Sequence, residues 1–476
     1  MPRVAPHAAD IDPKKMQQSP RRELGSVFGT EAACHDSKVT AGFGHTCAIL
    51  NSRSVKCFGR NVKGQLGYDT VEAVGDGRQK IDLSCSYTYD SEGSCTYASA
   101  LEMGSLGGVS LGTSPSQYAT AITAGQLHTC AILRHEGANG GDVKCWGGND
   151  YGQLGYDTTD SKGDEAGEMG SLSTVSGLGN QGVSAITAGA HHTCVILVGG
   201  SVKCWGNNEH GQLGYDSGDN KGDSAGEMLS LNTVDLGTGR TAIAISAGAE
   251  HTCAILDTND LKCWGNGGHG QLGNGMGDVK GDGSGEMASL GTVNLGAGRT
   301  AAAVSAGFQH TCAILDTGAV KCWGRNNNGQ LGYDIIELGY GQSVGGSAGD
   351  MTNLNTVNLG AGRTAIAISA GAEHTCAILG TDELKCWGSN RYGQLGYGST
   401  AQPGKIANLG VMNLGAGRTA TALTLGGWHT CAVLDSAELK CWGWNRFGQL
   451  GSDSQQDVTA PSVFAVDLGA SVHLRS

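Results

Sequence analysis

One word, His-Thr-Cys, is written seven times along this chain, beginning at His45, His128, His192, His251, His310, His374 and His429. Each copy opens a longer sentence, for example SAGFQHTCAILDTGAVKCWGRNNNGQLGYD at 305–334. A chain built this way cannot bury a separate core for each unit, so neighbouring units must stack and share one. Within a unit the pattern is that of strands. In TAIAISAG (241–248) Ile243 and Ile245 alternate with Ala242 and Ala244, a period of two. HTCAIL, a short turn such as Asp316-Thr317-Gly318, and AVKCWG then read as a hairpin, its Gly suited to a left-handed position. TVNLG (292–296) reads as a fourth strand. Four short strands repeated seven times predict an all-β fold, a seven-bladed β-propeller of four-stranded antiparallel blades.

The recurring AG-x-x-HT, WG-x-N and GQLG strings resemble the repeat of the regulator of chromosome condensation family over about residues 38–470. The resemblance implies the same seven-bladed ring. It implies no single function, because a fold hosts many. It brings three readings besides a binding scaffold: guanine-nucleotide exchange on a small GTPase, light sensing, and inhibition or adhesion outside the cell. Light sensing in the family uses tryptophans directly after the AG, and those places hold Phe43, Gln126, Ala190, Ala249, Phe308, Ala372 and Gly427. Residues 34–476 are expected to form one propeller domain. Residues 1–33, with diluted basic pairs Lys14-Lys15 and Arg21-Arg22, are expected to be a disordered arm.

Of 17 cysteines, 14 fall in seven pairs: Cys47-Cys57, Cys130-Cys145, Cys194-Cys204, Cys253-Cys263, Cys312-Cys322, Cys376-Cys386 and Cys431-Cys441. If Leu315 and Ala319 flank the turn, Cys312 lies opposite Cys322, close enough for a cross-strand disulfide. Buried thiols are the alternative. A metal reading, drawn from each His sharing a face with its Cys, is weakened because the His belongs to the family repeat. Cys85-Cys95 is a further candidate pair, which leaves Cys34 over. Paired cysteines favour an oxidising, extracellular setting. The N-terminus shows no apolar leader core, which points the other way.

Because the units can be compared with one another, positions that repeat read as structural and positions that vary read as free to bind. The variable ones gather on the first-to-second and third-to-fourth connections, which share one rim. There the candidates for partner binding are Phe43, Tyr151, His210, His269, Phe308, Tyr392, Trp428, Trp444 and Phe447. The tryptophans of the CWG strings, one per unit, read as packing. The acidic inserts 157–169, 216–228 and 277–287 read as hydrated loops that favour a basic partner surface. With a net charge of −13, nucleic acid is not expected as a partner. No membrane span is expected, since no apolar run of about 18 residues occurs. No nucleophile–base pair or phosphate loop is recognisable, so the chain reads as a non-catalytic, monomeric protein binder without a cofactor.

Overall fold

The computed structural model describes residues 38–75, 103–112, 116–180, 182–333, 341–402, 406–462 and 464–469. The first blade is built from strands Val39–Ala41, His45–Ile49 and Val55–Gly59. The second has Gln117–Ala124, His128–His135 and Asp142–Gly147, and the third Val183–Ala188, His192–Leu197 and Val202–Gly206. In the fourth these are Ala242–Ala247, His251–Leu256 and Leu261–Gly265; in the fifth, Ala301–Ala306, His310–Leu315 and Val320–Gly324. Ala365–Ala370, His374–Leu379 and Leu384–Gly388 form the sixth, and Ala420–Leu425, His429–Leu434 and Leu439–Gly443 the seventh. Each triplet is one antiparallel sheet, and the first strand of every blade packs against those of its two neighbours. The last blade meets the first, so the seven close into a ring around a channel lined by first strands. No described helix is long and apolar enough to cross a membrane.

The expected fourth strand is reduced to an extended segment touching the blade at one point. Val175 N–H donates to the Val143 carbonyl at 2.8 Å, Val234 to Val202 at 2.9 Å and Val293 to Leu261 at 2.7 Å. The last glycine of that strand edge pairs with the following insert, as Gly147 does with Lys162, and in five blades the middle of the edge is covered by the tyrosine after GQLG. Its hydroxyl accepts the N–H of the second blade cysteine, as Tyr156 does from Cys145 at 3.1 Å and Tyr215 from Cys204 at 2.9 Å. The same hydroxyl donates to that cysteine's carbonyl, at 3.1 and 3.0 Å. A phenol thus does the work that a neighbouring strand would do for two backbone groups.

Since that N–H points outward, the two cysteines of a blade face each other as a non-hydrogen-bonded pair, the closer kind. Cys145 lies opposite Cys130 and Cys204 opposite Cys194 in register. All seven pairs are joined sulfur to sulfur, with Cα atoms 4.0–4.1 Å apart. Cys34, Cys85, Cys95 and the arm 1–33 lie outside the described residues.

Blades are joined by a repeated polar node. Each buried His gives its Nε2 to the Thr hydroxyl of the next blade, at 2.8–3.0 Å, from His45–Thr129 around to His429–Thr46. That hydroxyl donates its own proton to the GQLG glutamine carbonyl of the blade before, as Thr193 does to Gln153 at 2.9 Å. With its proton committed, the Thr oxygen can only accept, so Nε2 carries the imidazole proton and Nδ1 is bare. Burial pushes six of the imidazoles down to about 3, and His128 well below its ordinary value. All seven are neutral. The CWG tryptophans complete the node: Trp205 Nε1 donates to the Gln153 carbonyl at 3.0 Å. Their rings are at most 2% exposed and fill the space between blades. Phe58 fills that place in the first blade without the donor.

Candidate functional site

The first-to-second connections ring one mouth of the channel. Backbone bonds run between them from blade to blade, including Gln126 N–H to the Ala190 carbonyl at 3.2 Å and Phe308 N–H to Gly371 at 3.1 Å. They return from Gly427 to Phe43 at 3.3 Å, so this circle closes too. The Gly of each AG is needed for space. A Cβ on Gly125 would sit 2.4 Å from the Gly189 carbonyl and 2.3 Å from the His128 ring. Alanine–glycine steps and the rings of Phe43 and Phe308 bound a pocket of about 510 Å³, open to solvent, at this mouth.

Beyond the collar, residues that differ between units stand on fixed backbone. All nine rim candidates are half-buried. Six of them are brought together from four blades. Phe43 and Phe308 approach across the mouth at 6.4 Å between ring centres, and Phe43 meets Trp428 at 4.8 Å. Trp428 meets Trp444 at 5.1 Å and Tyr392 at 6.0 Å, and Trp444 meets Phe447 at 5.2 Å. Such edge-to-face contacts hold the rings in place at small entropic cost. The other three stand elsewhere on the rim. Tyr151 packs on His191 at 5.0 Å, and His210 Nε2 lies 3.6 Å from a Glu250 carboxylate oxygen. Burial and the nearby Arg325 lower His269.

Three guanidinium groups border the aromatic patch. Arg60 lies 5.3 Å from the Phe447 ring centre and Arg391 5.7 Å from that of Tyr392, within cation–π range. Arg446 is exposed beside Phe447. Arg60 was not among the sequence candidates, although the same comparison exposes it. Its place after WG holds Gly148, Asn207, Asn266, Arg325, Ser389 and Trp444 in the other units.

The acidic inserts are not merely hydrated loops. Glu168 pairs with Lys162 at 2.9 Å and accepts the Gly163 N–H at 2.8 Å, closing its own insert. Asp157 of the blade before reaches over to the N–H groups of Gly226 and Met228, both at 2.9 Å. Burial opposes ionisation of Glu286, yet Lys280 and the N–H groups of Gly281 and Gly283 hold it down at about 2. The glutamates thus close each insert and the aspartates clasp it to the blade before, with Met169, Met228 and Met287 buried beneath. Among the described residues, no three His, Cys, Asp or Glu are grouped to hold a metal ion.

On the opposite face, Arg299 pairs with Asp316 at 3.1 Å, fixing the connection to the blade it enters. Half-exposed pairs like this contribute little, about 0–1 kcal/mol.

The sequence profile described as an RCC1-like domain matches residues 110–474, and that of the RCC1 repeat matches residues 37–65. The chain is 29% identical over 283 residues to the ultraviolet-B receptor UVR8 of Arabidopsis thaliana, covering 59% of this chain and 57% of the receptor. It is 28% identical over 271 residues to the E3 ubiquitin-protein ligase HERC2 of Homo sapiens, covering 56% of this chain but 5% of the ligase. It spans little over half of the first relative and a small part of the second. Among solved structures, yeast RCC1 (Prp20) bound to Kap60 superposes with a TM-score of 0.62 at 16% identity, covering 97% of this chain and 91% of that one. Prp20p of Saccharomyces cerevisiae, described with its binding to Gsp1p and histones, also gives 0.62, at 17% identity and coverages of 92% and 89%.

Proposed function

The chain belongs to the RCC1-like domain family, and from that premise we propose that it is a non-catalytic, monomeric binding propeller, residues 34–476, whose protein partner docks on the rim around Trp428 and Trp444. The observation that carries this is the convergence of six variable residues, from four blades, into one half-buried aromatic patch. Positions where the units agree are spent on joining blades. Aromatic and arginine side chains are the types that binding surfaces concentrate. The family supports a partner that is a protein, since Prp20 has been solved bound to Kap60. No cofactor is needed for this role.

The test starts from proteins captured from the native source on the full chain. The identified partner is then titrated calorimetrically against Trp428→Ala, Trp444→Ala and, on the opposite face, Arg299→Ala. A central anchor contributes at least about 2 kcal/mol, so each rim change is expected to weaken binding by more than tenfold. Arg299→Ala should leave it unchanged. Equal affinity for both rim variants would overturn the placement. Accelerated nucleotide release from a small GTPase would move the function to exchange instead.

A further inference from the structure

The rim is divided by chemistry. Its aromatic side carries Arg60, Arg391 and Arg446, and none of the three has a carboxylate partner among the described residues. Arg60 is the most telling, because its Nε is buried against the patch without a hydrogen-bond partner. A buried donor left unmade is a penalty that an arriving acceptor relieves. Two acids of the rim stand elsewhere, with Glu250 beside His210 and Asp150 paired to Lys63 at 3.0 Å; Glu373 of the sixth blade is half-buried on the aromatic side and forms no ion pair with these arginines among the described residues.

We propose that the aromatic patch is a docking site for an acidic peptide segment of a partner protein, with an apolar anchor seated on the Trp428–Trp444 rings and carboxylates reaching Arg60, Arg391 and Arg446. This rests on the protein-binding reading above and specifies the chemistry of its partner. Three features select this occupant. The arginines come from three blades and are spread along the patch, which suits several separated carboxylates better than one phosphate. Guanidinium pairs with carboxylate through two parallel hydrogen bonds. The aromatic rings meet edge to face, at 89° for Trp428–Trp444 and 83° for Trp444–Phe447, or tilted, at 57° for Tyr392–Trp428 and 42° for Tyr392–Trp444, and so offer no row of parallel faces for stacked bases. The clasped inserts contribute to the same asymmetry. Their Glu168, Glu227 and Glu286 carboxylates are already paired to Lys162, Lys221 and Lys280.

The experiment selects random dodecapeptides displayed on phage against the immobilised full chain, with Trp428→Ala/Trp444→Ala protein as the counter-selection. The expected winners carry net negative charge and at least one aromatic or large aliphatic residue. As synthetic peptides they should bind at least tenfold more weakly when Glu and Asp become Gln and Asn. Arg60→Gln, Arg391→Gln and Arg446→Gln should each weaken them several-fold and flatten the salt dependence, with melting temperatures unchanged. Winners that are basic or neutral would overturn the proposal, as would winners indifferent to the arginine changes. So would tight binding of an oligothymidine, or a doubled solution mass that the arginine changes return to 48.5 kDa, which would make the occupant a second copy. No rim-dependent winner also overturns it. The protein-binding reading is judged separately, by the calorimetry of the captured partner on Trp428→Ala.

Discussion

A single position shows how little freedom the joints between blades leave. Gly125 does not lie in the left-handed region, so a positive φ is not what demands glycine there. Space does: a methyl group would overlap the Gly189 carbonyl of the next blade. Gly125→Ala is expected to cost several kcal/mol, beyond the roughly 1 kcal/mol that most substitutions cost. A urea titration of the variant against the parent measures it, and a loss under 1 kcal/mol would mean that the blades can spread. The His behind that glycine could be read as structural because it recurs in all seven units. Its acceptor could not be read, since Thr193 lies 65 residues from His128 and only the ring brings them together.

At the level of the strand, TVNLG lies where a fourth strand is expected but pairs with the blade through one bond, from Val293 to Leu261. The same single bond is made where the tyrosine is absent, by Val293 in the fourth blade and Val466 in the seventh, so the tyrosine covers an edge that the short segment leaves open. Where it is present, the tyrosine ring enters beside the third strand and satisfies the cysteine's backbone. Tyr156→Phe keeps the ring and deletes the hydroxyl, leaving a buried N–H and carbonyl to find other partners, at a cost of about 1–3 kcal/mol. Hydrogen exchange at the Cys145 amide should accelerate while amides in distant blades stay protected. The fourth and seventh units hold Asn274 and Ser452 at that place, so the lesion is one the architecture already accommodates. The cross-strand cysteine pairs, by contrast, were legible, because turn length alone fixes which residues face each other. Alkylation without reduction, read by mass, is expected to label none of the fourteen blade cysteines. Fourteen labels would mean that they are thiols.

Across the whole molecule the seven neutral imidazoles act together. Their folded values lie far below 6.5, so the unfolded chain binds more protons and stability falls as pH drops from about 6.5 toward 3. Each contributes a slope of up to about 1.4 kcal/mol per pH unit. Between pH 6.5 and 5 imidazole is the side chain whose ordinary value falls closest, so a steep loss in that window points to the histidines. Urea midpoints at pH 7.5, 6.5, 5.5 and 5.0 measure it, and a flat profile would show that the imidazoles take up protons when folded. The site was legible at this scale only in part. Comparing units found the rim positions, but which of them meet depends on the seventh blade closing beside the first, and on Phe308 facing Phe43 across the mouth. The bonding around the ring also has no preferred number. Every unit gives one imidazole proton forward and receives one, so a gene that lost or duplicated a unit would still encode a circle with every such bond made. Hydrogen bonding therefore cannot count to seven. The counting falls to shape, to how narrowly the alanine–glycine collar lets first strands converge, and copying errors in such a gene would be rejected by crowding at the channel and not by any broken bond.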